Sequence, residues 1–186
     1  MNRFEIQKTS IDGVVRIIRN PINDQRGYFE RLFCEQELKL AGWNGSIKQI
    51  NHTHTKNFGT VRGMHYQLPP HAECKLITCI KGKIFDVVVD LRKDSKTFLQ
   101  TYTVELSAES HNSLLIPEGL AHGFQTLVND VEMLYLHSAN YAPEFEDTLN
   151  PIDPALGIDW PESISIISDR DKSKDYISSS FEGIAL

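Results

Sequence analysis

Lys75-Leu76-Ile77-Thr78-Cys79-Ile80-Lys81-Gly82-Lys83-Ile84-Phe85-Asp86-Val87-Val88-Val89-Asp90-Leu91 sets two short apolar runs on either side of Lys81-Gly82-Lys83. A glycine between two such runs reads as a tight hairpin turn joining strands at Lys75–Ile80 and Lys83–Leu91. Outward from this stretch the pattern repeats. Strands are predicted at Val14–Ile18, Tyr28–Phe33, Ser46–Asn51, Thr60–Tyr66, Thr101–Leu106, Ser113–Ile116, Gly123–Leu127 and Glu132–His137. One short helix is predicted at Glu35–Ala41, ended by Gly42. The tail from Tyr141, rich in Pro, Asp and Ser, reads as loops with short helical turns. Many short strands with turns at this spacing predict an all-β, antiparallel double-sheet sandwich or barrel.

Bulk properties narrow the function. The 186 residues suit a single domain, residues 1–186, with a sizeable core, and 40% hydrophobic residues exclude a disordered chain. Nineteen Lys and Arg against 25 Asp and Glu give a net charge of −6, which argues against a nucleic-acid partner. Cys34, Cys74 and Cys79 have no CxxC spacing, and their odd number fits reduced thiols and a cytoplasmic location. Met1 to Ser10 lacks an apolar signal core, and no run of about 18 apolar residues predicts a membrane span.

Alternation along strands sorts the polar residues. Met133, Tyr135 and His137 share one face, with Leu134 and Leu136 on the other. Lys75, Ile77 and Cys79 share a face, so Lys75 is expected inside. Arg62-Gly63-Met64-His65-Tyr66-Gln67 places a phosphate-gripping arginine and a proton-accepting histidine in one strand, and with Lys75 in one expected hairpin. Arg62 and His65 have opposite parity, so both face one cavity only if the strand bulges, and Gly63 is suited to that. Phe29, Arg31 and Phe33 are expected on a common face, with Phe29 and Arg31 as candidate substrate contacts.

Pro117-Glu118-Gly119-Leu120-Ala121-His122 has the P-x-G-x-x-H spacing of cupin barrels. His122 has three readings: a substrate or proton-transfer contact, a structural hydrogen bond, or a metal ligand. His52 and His54 are two apart, but no suitably spaced acid completes a metal motif, so no metal is expected. Asp169-Arg170-Asp171 reads on composition alone as a solvated loop.

Taken together these blocks closely resemble the dTDP-4-dehydrorhamnose 3,5-epimerase family, from about Ile11 to about Asp171. The resemblance is carried by Asp24-Gln25-Arg26-Gly27-Tyr28-Phe29, Gln49-Ile50-Asn51, Arg62 to Gln67, Lys75-Leu76 and Asp86 to Arg92. Ile116 to Phe124, Tyr135, Tyr141-Ala142-Pro143, Ile158-Asp159-Trp160-Pro161 and Ser168 to Asp171 complete it. It implies a jelly-roll (cupin) barrel, a homodimer, no cofactor, and a nucleotide-linked 4-keto-6-deoxyhexose as substrate, in deoxysugar biosynthesis. It further implies His65 as general base, Asp171 as its orienting acid, Tyr135 as the acid on the opposite face and Lys75 beside the developing oxyanion. Arg26 and Arg62 match pyrophosphate contacts, Gln49 and Asn51 the nucleotide or sugar site, and His122 a histidine near the base.

Three departures stand out. The family reads R-G-x-F-x-E-x-F, but Arg31 occupies the glutamate position. If that position meets the base, a carboxylate suits the N3–H donor of thymine, whereas arginine suits the N3 acceptor of cytosine. The substrate is then CDP-linked rather than dTDP-linked, unless a register change lets Glu30 restore the carboxylate. Glu73 stands where Gln is common, and Leu99-Gln100-Thr101 lacks a tryptophan often found there. Two other functions compete: a metal-dependent cupin oxygenase or isomerase using His52, His54 and His122, and a non-catalytic sugar-nucleotide binder.

Overall fold

Strand pairing in the computed structural model, which describes residues 2–186, resolves into two antiparallel sheets packed face to face. The strands are β1 Phe4–Lys8, β2 Val15–Arg19, β3 Ile22–Asp24, β4 Gly27–Phe29, β5 Gln49–Thr55, β6 Val61–Gln67 and β7 Lys75–Lys81. They continue as β8 Lys83–Asp90, β9 Thr101–Ser107, β10 Asn112–Ile116, β11 Leu120–Thr126, β12 Val131–His137 and β13 Glu146–Thr148. Two short helices flank them, α1 Glu35–Lys39 and α2 Asp169–Lys172. One sheet runs β1-β2-β10-β7-β12-β5, the other β13-β6-β11-β8-β9, and β3 and β4 form a separate hairpin. The antiparallel double-sheet sandwich expected from the strand pattern is therefore present, in the cupin-like jelly-roll form, with short peripheral helices, that the resemblance implied.

Period-two alternation builds three apolar layers. Ile77, Val88, Leu114, Phe124 and Met133 point between the sheets and form the central core. Leu76, Leu115 and Leu136 point the other way and are covered by Leu38 and Trp43, from α1 and the segment after it. Val87, Val89 and Ala121 back the second sheet and are covered by Leu149, Leu156 and Ile184 of the C-terminal tail. Burying each large apolar side chain contributes about 1.5–3 kcal/mol. Both faces of each sheet are covered, which explains the unbroken apolar run Val87-Val88-Val89.

Several sequence expectations need correcting. Gly82 does make a sharp reversal, with φ of +80°, but β7 and β8 lie in different sheets. Local turn chemistry reverses the chain; partner choice is set by burial on both faces, so β7 pairs with β10 and β12 instead. For the same reason Arg62 and His65 on β6 face Lys75 on β7 across the sandwich, not within one hairpin. The predicted strand Tyr28–Phe33 ends at Phe29, because Glu30 turns to Arg19 and His111, and Arg31 to Glu37. Phe29, Arg31 and Phe33 therefore do not share a strand face. The β5 strand begins later than expected and runs to Thr55, and β11 begins earlier, at Leu120. β1, β3 and β13 were not predicted: β1 is a mostly polar edge strand, and β3 and β13 have three residues each.

Candidate active site

The cleft between the sheets is polar where the apolar core ends. In one wall, register aligns Lys75, His137 and Gln49 across β7, β12 and β5, with Tyr135 and Asn51 in the next row. In the facing wall His65 on β6 pairs in register with His122 on β11. These residues line two adjoining lobes of about 190 and 200 Å³, both bordered by Asn51, His65, His122, Tyr135 and His137. A larger cavity of about 690 Å³ lies elsewhere, near Arg92 and the C-terminus. It contains none of these groups.

The expected bulge brings Arg62 and His65 to one side. Opposite β11 the register slips between His122 and Phe124, so Arg62 pairs with Phe124 and His65 with His122, and both border the second lobe. Gly63 makes this possible. Its φ is +120°, and a Cβ there would lie 2.5 Å from Gly123 Cα and 2.7 Å from the His122 carbonyl oxygen. Arg62 Nε donates to Thr55 Oγ1 at 3.0 Å.

His65 Nε2 donates to Asp171 Oδ1 at 2.9 Å, which leaves Nδ1 as the basic nitrogen of the neutral ring. Asp171 is delivered by α2, whose N-cap Ser168 accepts from the Asp171 amide, and Thr148 on β13 donates to the same carboxylate oxygen at 3.3 Å. The solvated-loop reading of this aspartate is thus overturned: it is buried, at 3% exposure. Burial acts to raise its pKa, but the bonds from His65, Ser168 and Gly63 outweigh that and hold it below the usual carboxylate range. Lys75 Nζ spans the cleft, donating to the His65 carbonyl at 3.2 Å and pairing with Glu73 Oε1 at 3.1 Å. Burial raises the Tyr135 phenol above its ordinary value, so its proton is in place at neutral pH.

Behind these groups His122 Nε2 donates to Asp86 Oδ2 at 2.7 Å. Burial raises the Asp86 carboxyl, and its other oxygen has no hydrogen-bond partner among the described residues. Glu73 also accepts from His137 Nδ1 at 2.9 Å; burial would raise it, but His137 and Lys75 together hold it low. Burying charged side chains is costly even when paired, and so many in one cleft mark a working site more than a stabilising one. Sequence reading assigned no role to Asp86, Glu73 or His137. The signals existed: Asp86 shares a face with Ile84 and Val88, and His137 with Tyr135.

Not every expected residue is assembled. Gln49 and Asn51 border the cleft. Arg26, Phe29 and Arg31 do not: Arg26 pairs with Asp24 in the solvent-exposed β3–β4 hairpin, Phe29 is 62% exposed, and Arg31 bonds Glu37. His52 and His54 turn outward to Glu132 and Asp130, away from His122. No cluster of three or more potential metal-ligating His, Cys, Asp or Glu side chains occurs among the described residues. The metal-dependent alternative therefore has no support from these histidines.

A wall with a tethered imidazole faces a wall with a protonated phenol and an ammonium. That arrangement can remove a proton from one face of a bound carbon acid, shelter the resulting anion and return a proton to the other face. Comparison with known proteins agrees. The family model described as dTDP-4-dehydrorhamnose 3,5-epimerase matches residues 8–179. A dTDP-4-dehydrorhamnose 3,5-epimerase from Salmonella typhimurium is 41% identical over 84% of this chain and 85% of its own length. The crystal structure of a dTDP-4-dehydrorhamnose 3,5-epimerase from Elizabethkingia anophelis superposes with a TM-score of 0.90 at 33% identity, covering 97% of this chain and all of the other. A 3'-monoepimerase from Streptomyces bikiniensis, solved with dTDP-quinovose, gives 0.83 at 34% identity over 91% of this chain and 86% of that one.

Proposed function

The chain belongs to the dTDP-4-dehydrorhamnose 3,5-epimerase family, and from that premise we propose that it inverts C3, C5 or both in a nucleoside-diphosphate-linked 4-keto-6-deoxyhexose by proton transfer across the cleft. The observation that carries this is the placement of His65 and Tyr135 on opposite sheets, bordering the same two lobes. The C4 ketone acidifies the neighbouring C–H bonds. His65 Nδ1 takes the proton, and the electron pair moves onto the ketone oxygen as an enolate. Asp171 holds the ring in the right tautomer and stabilises the imidazolium. Lys75 faces the enolate oxygen. Tyr135 then gives its proton to carbon from the other side, which inverts the centre, and both side chains regain their starting states by exchange with solvent. Arg62 contacts the pyrophosphate, Gln49 and Asn51 the sugar or nucleotide, and His122 supports the base.

The same proposal includes a homodimer. All six residues of β3 and β4 are exposed, among them Ile22, Tyr28 and Phe29. An isolated two-stranded hairpin is marginal at best, so this one needs a surface to cover it. A second copy would also give Arg26, Phe29 and Arg31 a cleft to reach. The proposal takes the chain as one domain, since the three apolar clusters of the described residues are all built on the same pair of sheets. No helix among the described residues is long and apolar enough to cross a membrane, and all three cysteines are free. Cytoplasmic deoxysugar synthesis, of the kind that supplies lipopolysaccharide, belongs to the same proposal.

One observation favours CDP as a second reading of the nucleotide. Glu30 is held by Arg19 at 2.9 Å and by His111 at 2.9 Å, so it is not free to take the place of the missing glutamate. Arg31 is left as the charged group at that position, and its partly exposed pair with Glu37, at 2.6 Å, is one that a nucleotide would have to displace. A buried donor–acceptor mismatch costs roughly 1–3 kcal/mol, or about ten- to hundredfold in affinity. The test is incubation in D2O with dTDP- and CDP-linked 4-keto-6-deoxyglucose, followed by NMR at C3 and C5. Deuterium entry with inversion is expected, faster with the preferred nucleotide. No exchange with either substrate would refute the epimerase.

A further inference from the structure

One acid–imidazole pair in the cleft has no part in the proton transfers just described. Glu73 precedes β7, and His137 ends β12. The Glu73 carboxylate bridges two groups, with Oε1 3.1 Å from Lys75 Nζ and Oε2 2.9 Å from His137 Nδ1. All three side chains are nearly enclosed, at 7% exposure for Glu73, 8% for Lys75 and 12% for His137. Register sets His137 directly beside Lys75, and its ring lies within 18° of parallel to Tyr135. Its other nitrogen, Nε2, is 3.4 Å from the Asn51 amide nitrogen. The pair is thus built into the wall that presents both Lys75 and Tyr135.

A lysine stabilises a developing enolate through its charge, and a carboxylate in contact with it in a buried setting cancels most of that charge. With His137 neutral, Lys75 and Glu73 together carry no net charge. With His137 protonated, the three carry one positive charge. We propose that His137 is a positioning residue whose protonated form engages Glu73 and thereby frees the charge of Lys75 for the enolate. The inference rests on the epimerase reading of the cleft. The other titratable groups facing His137 have their own partners: His65 has Asp171, His122 has Asp86, and Tyr141 at the rim donates to Glu146. Glu73 therefore answers to Lys75 and His137 alone. The sequence departure at Glu73 gains a reason, since a carboxylate that neutralises this lysine leaves a net positive charge beside the enolate only when a second cation joins the pair.

A double-mutant cycle tests this, with kcat and KM read from solvent-proton exchange across a pH series. His137→Asn should lower kcat about tenfold at neutral pH and move KM less than about threefold, since Lys75 stays neutralised. Adding Glu73→Gln removes the carboxylate and should return kcat to within about threefold of the native value. A merely structural pair predicts a double variant no better than the worse single one. That result, or native kcat in His137→Asn, would overturn the proposal. Should His137→Asn fail to fold by circular dichroism, His137→Gln carries the same cycle. Native protein without any exchange would overturn the epimerase reading itself, whereas native exchange without rescue overturns only this inference.

Discussion

His65 shows how much a single side chain depends on its surroundings. Its sequence neighbours suggest a proton-accepting histidine near Arg62 and Lys75, and what holds its ring comes from Asp171, which arrives 106 positions later at 2.9 Å. His65→Ala should abolish deuterium entry at both C3 and C5, a loss of about 10²-fold or more, with a native melting profile. Exchange at the native rate would remove it as the base. Asp171→Asn keeps the shape but loses the charge that stabilises the imidazolium, so exchange should slow by about tenfold or more without unfolding. At this scale the sequence was legible where chemistry shows in residue type and parity, as for Lys75 and Tyr135. It was illegible for Asp171 on composition, because a polar tail looks the same whether it is solvated or docked; only the family resemblance implied its role.

The elements hold these side chains with devices that can be tested one at a time. The β6 bulge depends on Gly63, whose position leaves no room for a methyl group against Gly123 and His122. Gly63→Ala should destabilise the fold by at least about 1–3 kcal/mol and depress exchange further by displacing Arg62 and His65. A variant with unchanged melting temperature and rate would contradict that account of the bulge. The turn after β8 is held by Asp90, which accepts from Arg92, Ser95 and Thr97. Burial raises its pKa, but these bonds outweigh burial and lower it to about 2 from 3.8. The stabilisation, about 2 kcal/mol, is therefore complete above the unfolded value and lost as pH falls through the folded one. Asp90→Asn should flatten the stability difference between about pH 4 and pH 2 in denaturant titrations, and an unaltered acid slope would count against it. The bulge was readable from the opposite parity of Arg62 and His65. Sheet membership was not, because β7 is buried on both faces and its local pattern does not name a partner.

For the whole molecule, the sandwich places His65 and Tyr135 on opposite sheets, and α2 of the tail packs on β6 with Asp171 against His65. The exposed β3–β4 hairpin is the part that one chain leaves unexplained, and it carries two of the three expected substrate contacts that fall outside the cleft. Light scattering should give twice the 21.2 kDa mass of the chain. Arg26→Ala should raise KM by about tenfold while leaving kcat near native, since it would remove a charged contact to the pyrophosphate and none to the reacting carbon. A monomer with native KM in that variant would sink the dimeric site. The hairpin's residues were legible as motif and its place was not, since an exposed turn reads the same in sequence whether it is solvated or covered.

The proposed proton transfer between two walls is open to a single experiment, Tyr135→Phe in D2O. Tyr135 stands on the sheet opposite His65 and has no hydrogen bond to His65 or Asp171 among the described residues, so the variant should still exchange protons at the carbon that His65 reaches. Deuterium should therefore enter with the starting configuration retained, while the inverted product falls by about 10²-fold or more. Native yields of inverted product in this variant would contradict the account, because the second proton would then come from somewhere other than the opposite wall.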